Sequence, residues 1–361
     1  MPKFIPGLEL SRMFFEEAVQ PILKSDFPQL KYSAGLIGWG SEVLGYDTSE
    51  SSDHNWGPRL LLFLGESDHK KYQESISKVL SNKLPQVFRG FPTNFSKARE
   101  KSVRNMIYKK SGKVDHMVQI FTLRSFCEMR FGFDITKNLT RTDWLIMSQI
   151  RLLEVISGAV FHDDMGLSKL RNKLKYFPQD VWLYLLASQW SKISEEEAFV
   201  GRTGDVGDEL GSQIVAARLV RELMRLCFLM EKKYITYTKW FGTAFQDLKS
   251  AKRLLPIFRK ISLSKNWKER EKYLSAAYSI VAKMHNDLKI TKPMVTKTTK
   301  YFGRPYLVIH ADAFASNIRE KIADKRLRRL ELIGSIDQFI DSTPVSERVQ
   351  SRKKLETVYQ K

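Results

Sequence analysis

The pattern of apolar and polar positions has two different periods along the chain. Residues 8–23 repeat apolar positions every three or four residues and place Leu10, Phe14 and Ala18 on one helical face. Three short apolar segments, bounded by glycine, proline or polar residues, predict strands: 32–37, 59–64 and 114–122. Two segments between and after them have the period of amphipathic helices: 68–84 and 123–131. Residues 89–113 are rich in Gly, Pro, Asn, Ser and Lys, which predicts a loop.

From residue 140 onward the helical period dominates. Thr140 or Thr142 is the expected cap of a helix reaching Ile156, and Asp180 that of a second helix. Three later segments have the same period: 209–233, 266–288 and 312–332. We expect no strand-rich region after about residue 130. The fold class is therefore α+β, with a small mixed-sheet domain at residues 1–135 followed by an all-helical domain at residues 136–361.

Composition adds limits to this picture. The 361 residues carry a net charge of +20, and such an excess attracts anions, nucleotides and nucleic acid among them. The basic-rich stretches 97–113 and 321–361 are each more simply explained as solvated surface. No apolar run has the length of a membrane span, and Cys127 and Cys227 are expected to be free, buried thiols. We therefore predict a cytoplasmic protein with no membrane partner.

One motif in the first domain points to phosphate chemistry. Gly40 and Ser41 follow the predicted strand 32–37, and a glycine-serine turn lets the backbone approach phosphate oxygens while the hydroxyl donates a hydrogen bond. Asp53 and Asn55 then precede the strand 59–64, at the same predicted sheet edge. The alternative is an ordinary turn with Asp53 as a cap. No Gly-Lys-Ser/Thr phosphate loop and no Gly-X-Ser-X-Gly elbow occurs.

The motif resembles the Gly-Ser…Asp-X-Asp signature of the DNA polymerase β-like nucleotidyltransferases. Most of the chain resembles an uncharacterised family of that superfamily, a bacterial and archaeal group with a domain of unknown function. Eight segments carry the resemblance: 40–45, 52–59, 158–163, 180–184, 196–202, 216–221, 237–245 and 337–339. The resemblance implies a nucleotidyltransferase domain that binds ATP or another nucleoside triphosphate with Mg²⁺ or Mn²⁺. The covering helical domain would bind an acceptor or a partner.

The resemblance also assigns roles within the motif. Asp53 is the expected catalytic and metal-binding carboxylate, and Asn55 stands where a second metal ligand is usual. Gly40 and Ser41 are expected to bind the triphosphate. His54 and Arg59 are assigned to nucleotide binding too, although His54 alternatively holds the turn through hydrogen bonds.

A third metal-binding carboxylate normally lies on a later strand of this fold. Gln119 occupies the expected position, and Asp47 and Asp115 are the nearby substitutes. With one firm carboxylate, Mg²⁺ would depend mainly on the nucleotide phosphates. The sequence therefore supports nucleotide binding better than it supports catalysis.

Candidates in the helical domain are fewer. Tyr237 is expected to stack on a base or sugar and Lys239 to hold phosphate, with a core ring and an exposed cation as the alternative. Arg218, Arg221 and Arg225 share one helical face, which favours equally an anion cleft or pairing with acids.

The acids near residue 196 complete the candidates. Glu196 or Glu197 is the proposed general base, against helix capping as the alternative. His162 and Asp163 suggest a metal, but a loop following a helix is the simpler interpretation.

Two hypotheses follow for function. The first is a nucleotidyltransferase that moves a nucleotidyl group, AMP in the simplest case, to a hydroxyl acceptor. The alternative is a catalytically inactive relative that binds nucleic acid or a protein partner, in a regulatory or antitoxin-like role.

Overall fold

The computed structural model describes residues 2–52, 54–97, 103–342, 344–345 and 348–360. The chain forms two compact units. The first unit contains Met1–Asn138 and Arg151–Lys175, and the second, which we call the helical unit, contains Leu139–Ile150 and Tyr176–Lys361. The protein is thus a mixed α+β protein with a small mixed sheet and a helical C-terminal region. The predicted domains, a nucleotidyltransferase domain at residues 1–135 and a substrate- or partner-binding domain at residues 136–361, remain predictions.

The strands have the following bounds: β1 Tyr32–Leu36, β2 Arg59–Leu64, β3 Val87–Phe88, β4 Phe91–Pro92, β5 Met117–Phe121, β6 Ala159–Asp163, β7 Thr299–Lys300 and β8 Leu307–Val308. The helices of the first unit are α1 Gly7–Phe14, α2 Gln20–Asp26, α3 Ser41–Leu44, α4 Glu66–Lys83 and α5 Leu123–Phe131. A π-helical turn, Phe15–Val19, joins α1 to α2. Later helices are α6 Arg141–Ile146, α7 Gln149–Ile156, α8 Leu167–Lys173, α9 Gln179–Ser194, α10 Phe199–Asp205, α11 Glu209–Met230, α12 Thr238–Gln246, α13 Ala251–Leu263, α14 Trp267–Asp287, α15 Ala311–Arg319, α16 Lys325–Arg329, α17 Ile336–Phe339 and α18 Val349–Lys354.

The first unit is built on a four-stranded sheet of order β5-β2-β1-β6. Strand β1 is antiparallel to both neighbours, whereas β2 and β5 are parallel. Every residue of β2 is buried, as expected for a continuous apolar run in the middle of a sheet. Helices α1 and α4 contribute Leu10, Phe14, Ile76 and Leu80 to the same core. The three predicted strands and the predicted N-terminal helix are confirmed.

Strand β6 corrects the sequence analysis, which assigned residues 158–164 to a loop. Ala159–Asp163 pairs with β1 as an edge strand, with an irregularity between Ala34 and Gly35. The Asp163 carboxylate accepts hydrogen bonds from Ser33 Oγ (2.6 Å) and from the first amides of α8, so it serves as a cap. His162 Nε2 lies 2.8 Å from the carboxylate of Asp164. Among the described parts of the chain, no group of three potential metal ligands includes these residues.

The predicted helix from Thr140 to Ile156 is two helices. Thr140 caps α6, accepting from the amide of Asp143 at 3.2 Å. The chain is extended at Met147, and the carboxylate of Asp337 accepts from the amide of Gln149, the first residue of α7, at 2.7 Å. A contact 188 positions away along the chain thus starts the second helix, which local periodicity does not reveal.

Two further helix predictions change in detail. The segment 312–332 divides into α15 and α16, and Asp324 caps the second of these by accepting from the amides of Arg326 and Leu327. Asp180 lies in the first turn of α9 and accepts instead from the amides of Ala323 and Asp324.

The helical unit is organised around α9. Trp182, Leu186 and Trp190 on this helix are buried, and α9 packs on α11 and α15. The unit also holds a ribbon of two-residue strands, β7 and β8, so it is not strictly all-helical. Within the described ranges no helix has the length and hydrophobicity needed to cross a membrane.

Candidate functional site

The Gly-Ser turn connects β1 to the short helix α3. Gly40 has φ +125°, a backbone conformation that L side chains rarely adopt, and Ser41 is the first residue of α3. A Cβ at Gly40 would lie 2.4 Å from a Glu42 carboxylate oxygen and 2.6 Å from Arg59 Nη2. The turn therefore requires glycine, and the chain at this point lies directly against a pair of buried charges.

These charges form an ion pair between α3 and β2. Arg59 donates from Nε and Nη2 to the same Glu42 oxygen, at 2.9 and 2.6 Å, and from Nη2 to the carbonyl of Trp39 at 2.6 Å. Both side chains are at most 3% exposed. Arg59 thus supports the turn through Nε and Nη2, and its predicted role in nucleotide binding stays a prediction.

The remaining motif residues lie on the segment before β2. Asp53 lies outside the described residues, so its predicted role stays a prediction. His54 is exposed, and Asn55 adopts a positive φ of 50°. The Asn55 side-chain oxygen accepts a hydrogen bond from the backbone N–H of Arg104 at 3.0 Å. The backbone N–H of Asn55 donates to the Arg104 carbonyl at 2.7 Å. The oxygen proposed as a metal ligand therefore fixes the neighbouring loop.

The substitute carboxylates do not assemble a metal site. Asp47 accepts from the amide of Gly7 (2.7 Å) and from Trp56 Nε1 (2.9 Å), which occupies one of its oxygens structurally. Asp115 is exposed and precedes β5. Gln119 lies opposite Leu61 in the parallel pairing of β5 with β2, at the strand position expected for a third ligand. No cluster of three His, Cys, Asp or Glu side chains occurs within the described ranges. Asp53, the expected centre of the metal site, lies outside those ranges, so metal binding stays a prediction.

The two proposed general bases have different surroundings. Glu197 is buried and accepts from the amides of Ile309 and Ala311, at 2.8 and 3.1 Å, and burial raises its pKa to about 7. Glu196 is half-buried and pairs with Arg218 at 3.1 Å. Burial also raises the pKa of Glu196, and Arg218 opposes the rise. Glu197 thus holds the entry into α15, whereas Glu196 is the more accessible carboxylate.

A cavity of about 300 Å³ lies within the helical unit. Its polar wall includes Arg221 and Arg225 from α11, with Thr236 and Tyr237 before α12. Isoleucines and Phe241 line the rest. Two of the three arginines predicted to share a helical face, together with Tyr237, thus line one cavity, and its role as an anion cleft stays a prediction. Arg218 and Lys239 do not line it; Lys239 lies over the ring of Trp240, 4.8 Å from its centre.

The acidic side of this cavity was not predicted from the sequence. Arg221 forms a two-pronged pair with Asp341, with one contact of 3.2 Å between Nη1 and Oδ2. The Asp337 carboxylate accepts from Ser148 Oγ and from the Gln149 amide. Burial raises the pKa of Asp337, an effect that these hydrogen bonds oppose. Both aspartates follow Arg221 by more than a hundred positions, so only the tertiary fold reveals the group.

Comparison with known proteins gives a family match for part of the chain. Residues 144–241 match the family described as Domain of unknown function (DUF4037). This agrees with the expected likeness to an uncharacterised family, and the matched residues include Arg221, Arg225 and Tyr237 but not the Gly40 turn. The chain matches no curated protein and no solved structure.

Proposed function

We propose that this protein is a nucleotidyltransferase-fold protein that binds a nucleoside triphosphate at the Gly40–Ser41 turn and transfers a nucleotidyl group, AMP from MgATP in the simplest case, to a hydroxyl acceptor. One observation carries the proposal. The buried strand β1 is followed by a glycine-serine turn in which Gly40 has a positive φ. Strand β2 then pairs antiparallel with β1, and β5 pairs parallel with β2.

The chemistry assigns roles to residues of this chain. The acceptor hydroxyl attacks the α-phosphorus, a phosphorus–oxygen bond forms, and pyrophosphate leaves with the electron pair of the broken bond. The backbone at Gly40 and the Ser41 hydroxyl would hold the triphosphate. Because the described carboxylates do not form a metal site, Mg²⁺ is taken to arrive with the nucleotide, with Asp53 and Asn55 as its predicted protein contacts.

A proton must also leave the acceptor hydroxyl. Glu196 is the better candidate for its base, because it is accessible and burial raises its pKa, which strengthens the carboxylate as a proton acceptor. Arg218, its partner at 3.1 Å, would hold the carboxylate in place.

Titration calorimetry with MgATP tests the binding step. Ser41→Ala is expected to weaken ATP binding roughly 2- to 10-fold, the usual contribution of one neutral hydrogen bond. Ser75→Ala, which removes an exposed serine from α4, is the matched control and is expected to change nothing. Equal affinities for wild type and Ser41→Ala would contradict a phosphate site at the turn.

Transfer is tested separately, with ATP labelled at the α-phosphate and a cell extract as the source of acceptors. Labelled product that disappears in Asp53→Ala supports the enzyme. If ATP binds but no labelled product forms, the proposed nucleotide site is supported and the proposed transfer reaction is contradicted.

A basic face on α13 and α14 favours the second candidate function, nucleic-acid binding without transfer. Eight exposed cations occur within these helices and their connection: Lys252, Arg253, Arg259, Lys260, Lys265, Lys268, Lys272 and Lys283. The ammonium groups of Lys260 and Lys272 lie 5.6 and 5.9 Å from the ring centre of Tyr273. Cations interleaved with an aromatic ring suit a phosphate backbone with stacked bases.

Salt dependence distinguishes this candidate. Binding of a single-stranded RNA should weaken steeply between 50 and 200 mM salt (roughly 300-fold if about six phosphates are contacted). Replacing Lys260 and Lys272 by glutamine should reduce the magnitude of the slope of log K against log salt by about 1.4. A slope that these two changes leave unaltered would exclude this face as the RNA site.

A further inference from the structure

We infer that the cavity of the helical unit binds a small organic phosphate with a flat, apolar body. The phosphate would lie against Arg225, Thr236 and the first turn of α12. This site does not depend on the proposed nucleotidyl transfer, since all its residues belong to the helical unit.

Arg225 is the first observation. Its side chain is 9% exposed, and its nearest carboxylates are Glu222 at 3.6 Å and Asp341 at 3.7 Å. Both distances exceed those of N–H···O hydrogen bonds. Among the described residues, none accepts a hydrogen bond from this guanidinium. An arginine has five donors in a fork that matches phosphate oxygens, and a phosphate would pair with the donors that these carboxylates do not bind. The cavity is the space from which an acceptor can reach them.

Thr236 is an independent second observation. Its Oγ1 is buried and has no hydrogen-bond partner within the described ranges, and the residue lines the same cavity. Buried hydroxyls in native proteins are nearly always bonded, so an unpaired one at a cavity wall indicates a missing partner. A phosphate oxygen would accept this hydrogen bond.

The beginning of α12 adds further donors. Tyr237 is its N-cap residue and provides no capping hydrogen bond from its side chain, while Thr238 lines the cavity. The first amides of a helix favour an anion. Arginine donors, a hydroxyl and a helix start therefore border one space.

The acidic residues of the wall are consistent with this site. Asp337 already accepts two hydrogen bonds, and Asp341 is held mainly by Arg221. Asp341 also lies 3.7 Å from Arg225, with a side chain that is 70% exposed. It competes for Arg225 only weakly, because its main partner is Arg221 and its exposed carboxylate is also solvated by water.

The size and the apolar walls define the body of the ligand. A volume of about 300 Å³ is at the small end of ligand pockets. Ile150, Ile235, Phe241 and Ile340 line the cavity alongside the polar group. Such walls suit a ring rather than a second charged group, which points to an aryl phosphate or a ligand of similar shape.

The test uses the full chain and titration calorimetry with three probes: phenyl phosphate, inorganic phosphate and phenol. Phenyl phosphate is expected to bind more tightly than either of the others. Arg225→Gln should weaken its binding about 10- to 100-fold, as expected for lost charged hydrogen bonds. Arg304→Gln is the matched control, because Arg304 is an exposed arginine of the same unit that does not line the cavity. It should bind like the wild type.

Two further variants keep the test decisive if Arg225→Gln fails to fold. Thr236→Val removes the unpaired hydroxyl while preserving shape, so it should weaken binding roughly 2- to 10-fold without lowering the thermal midpoint. Asp341→Asn removes the competing carboxylate and should tighten binding several-fold. Unchanged affinity in Thr236→Val and weaker binding in Asp341→Asn would overturn the proposal. Loss of phenyl phosphate binding in Ser41→Ala would overturn it as well, and would place the anion at the Gly-Ser turn instead.

Discussion

Replacing Glu42 by glutamine is expected to destabilise the sheet of the first unit. The change leaves the buried guanidinium of Arg59 without its counter-charge. Arg59 makes two donations to one Glu42 oxygen, at 2.9 and 2.6 Å, and only the carbonyl of Trp39 would remain as an undiminished acceptor.

The magnitude follows from the burial of both partners, which are 2% and 3% exposed. Removing one member of a buried pair costs about 3–5 kcal/mol, since the other charge stays uncompensated. Glutamine keeps the volume and one oxygen acceptor, so we expect about 3 kcal/mol, or roughly a hundredfold in the opening equilibrium. The double variant Glu42→Leu/Arg59→Met removes both charges and should cost less than the sum of its single changes.

Hydrogen–deuterium exchange of peptides from β1 and β2 measures this opening in the full chain. Glu16→Gln is the control, because Glu16 pairs with Arg12 at 2.7 Å on the surface, where both side chains are 48% exposed. Such pairs contribute about 0–1 kcal/mol. If Glu42→Gln accelerates exchange in β1 and β2 no more than Glu16→Gln does, the buried pair does not stabilise the turn.

Three further outcomes are expected. Burial raises the pKa of Glu197 to about 7, so the native state binds the proton more strongly than the unfolded state does. The free energy of unfolding, measured with urea, should therefore fall by roughly 3 kcal/mol as pH rises from about 4.5 through 7, and Glu197→Gln should remove this dependence. Gly158→Ala should destabilise the first unit far more than Gly166→Ala, since both have positive φ but only Gly158 has a carbonyl 2.0 Å from the added Cβ; thermal midpoints compare them. Burial raises the pKa of Cys127 and Cys227 to about 12, so native protein should react with a thiol reagent only after denaturant is added.

The central strands were predictable because their signals are local. Residues 60–64 are all apolar, and the segment 59–64 lies between Gly-Pro and Gly-Glu. The structure places β2 at the same residues, 59–64. The edge strand β6 was missed because its residues are only partly buried and its pairing partner is distant in sequence. The alternation of apolar and polar residues is a weak signal for such a strand.

The candidate sites show the same division. The spacing of Arg221 and Arg225 places them on one helical face, and the structure confirms that both line a cavity. Asp341, from a distant segment of the chain, forms hydrogen bonds with Arg221 but lies 3.7 Å from Arg225, and the sequence does not reveal this difference. Likewise, the sequence places Arg59 next to the motif, and only the fold shows that it forms a buried ion pair with Glu42.

The large separation of β1 and β6 along the chain has a consequence for synthesis and expression of the protein. Ser33 and Asp163 are hydrogen-bonded across 130 positions of the chain. At 5–20 residues per second, synthesis of that interval takes roughly 6–26 seconds, during which the outer edge of β1 has no partner. An unpaired strand edge invites association with other chains. A fragment ending at residue 138 would keep that edge permanently, so expression of the first unit alone calls for residues 151–175 as well, joined by a flexible linker that replaces 139–150.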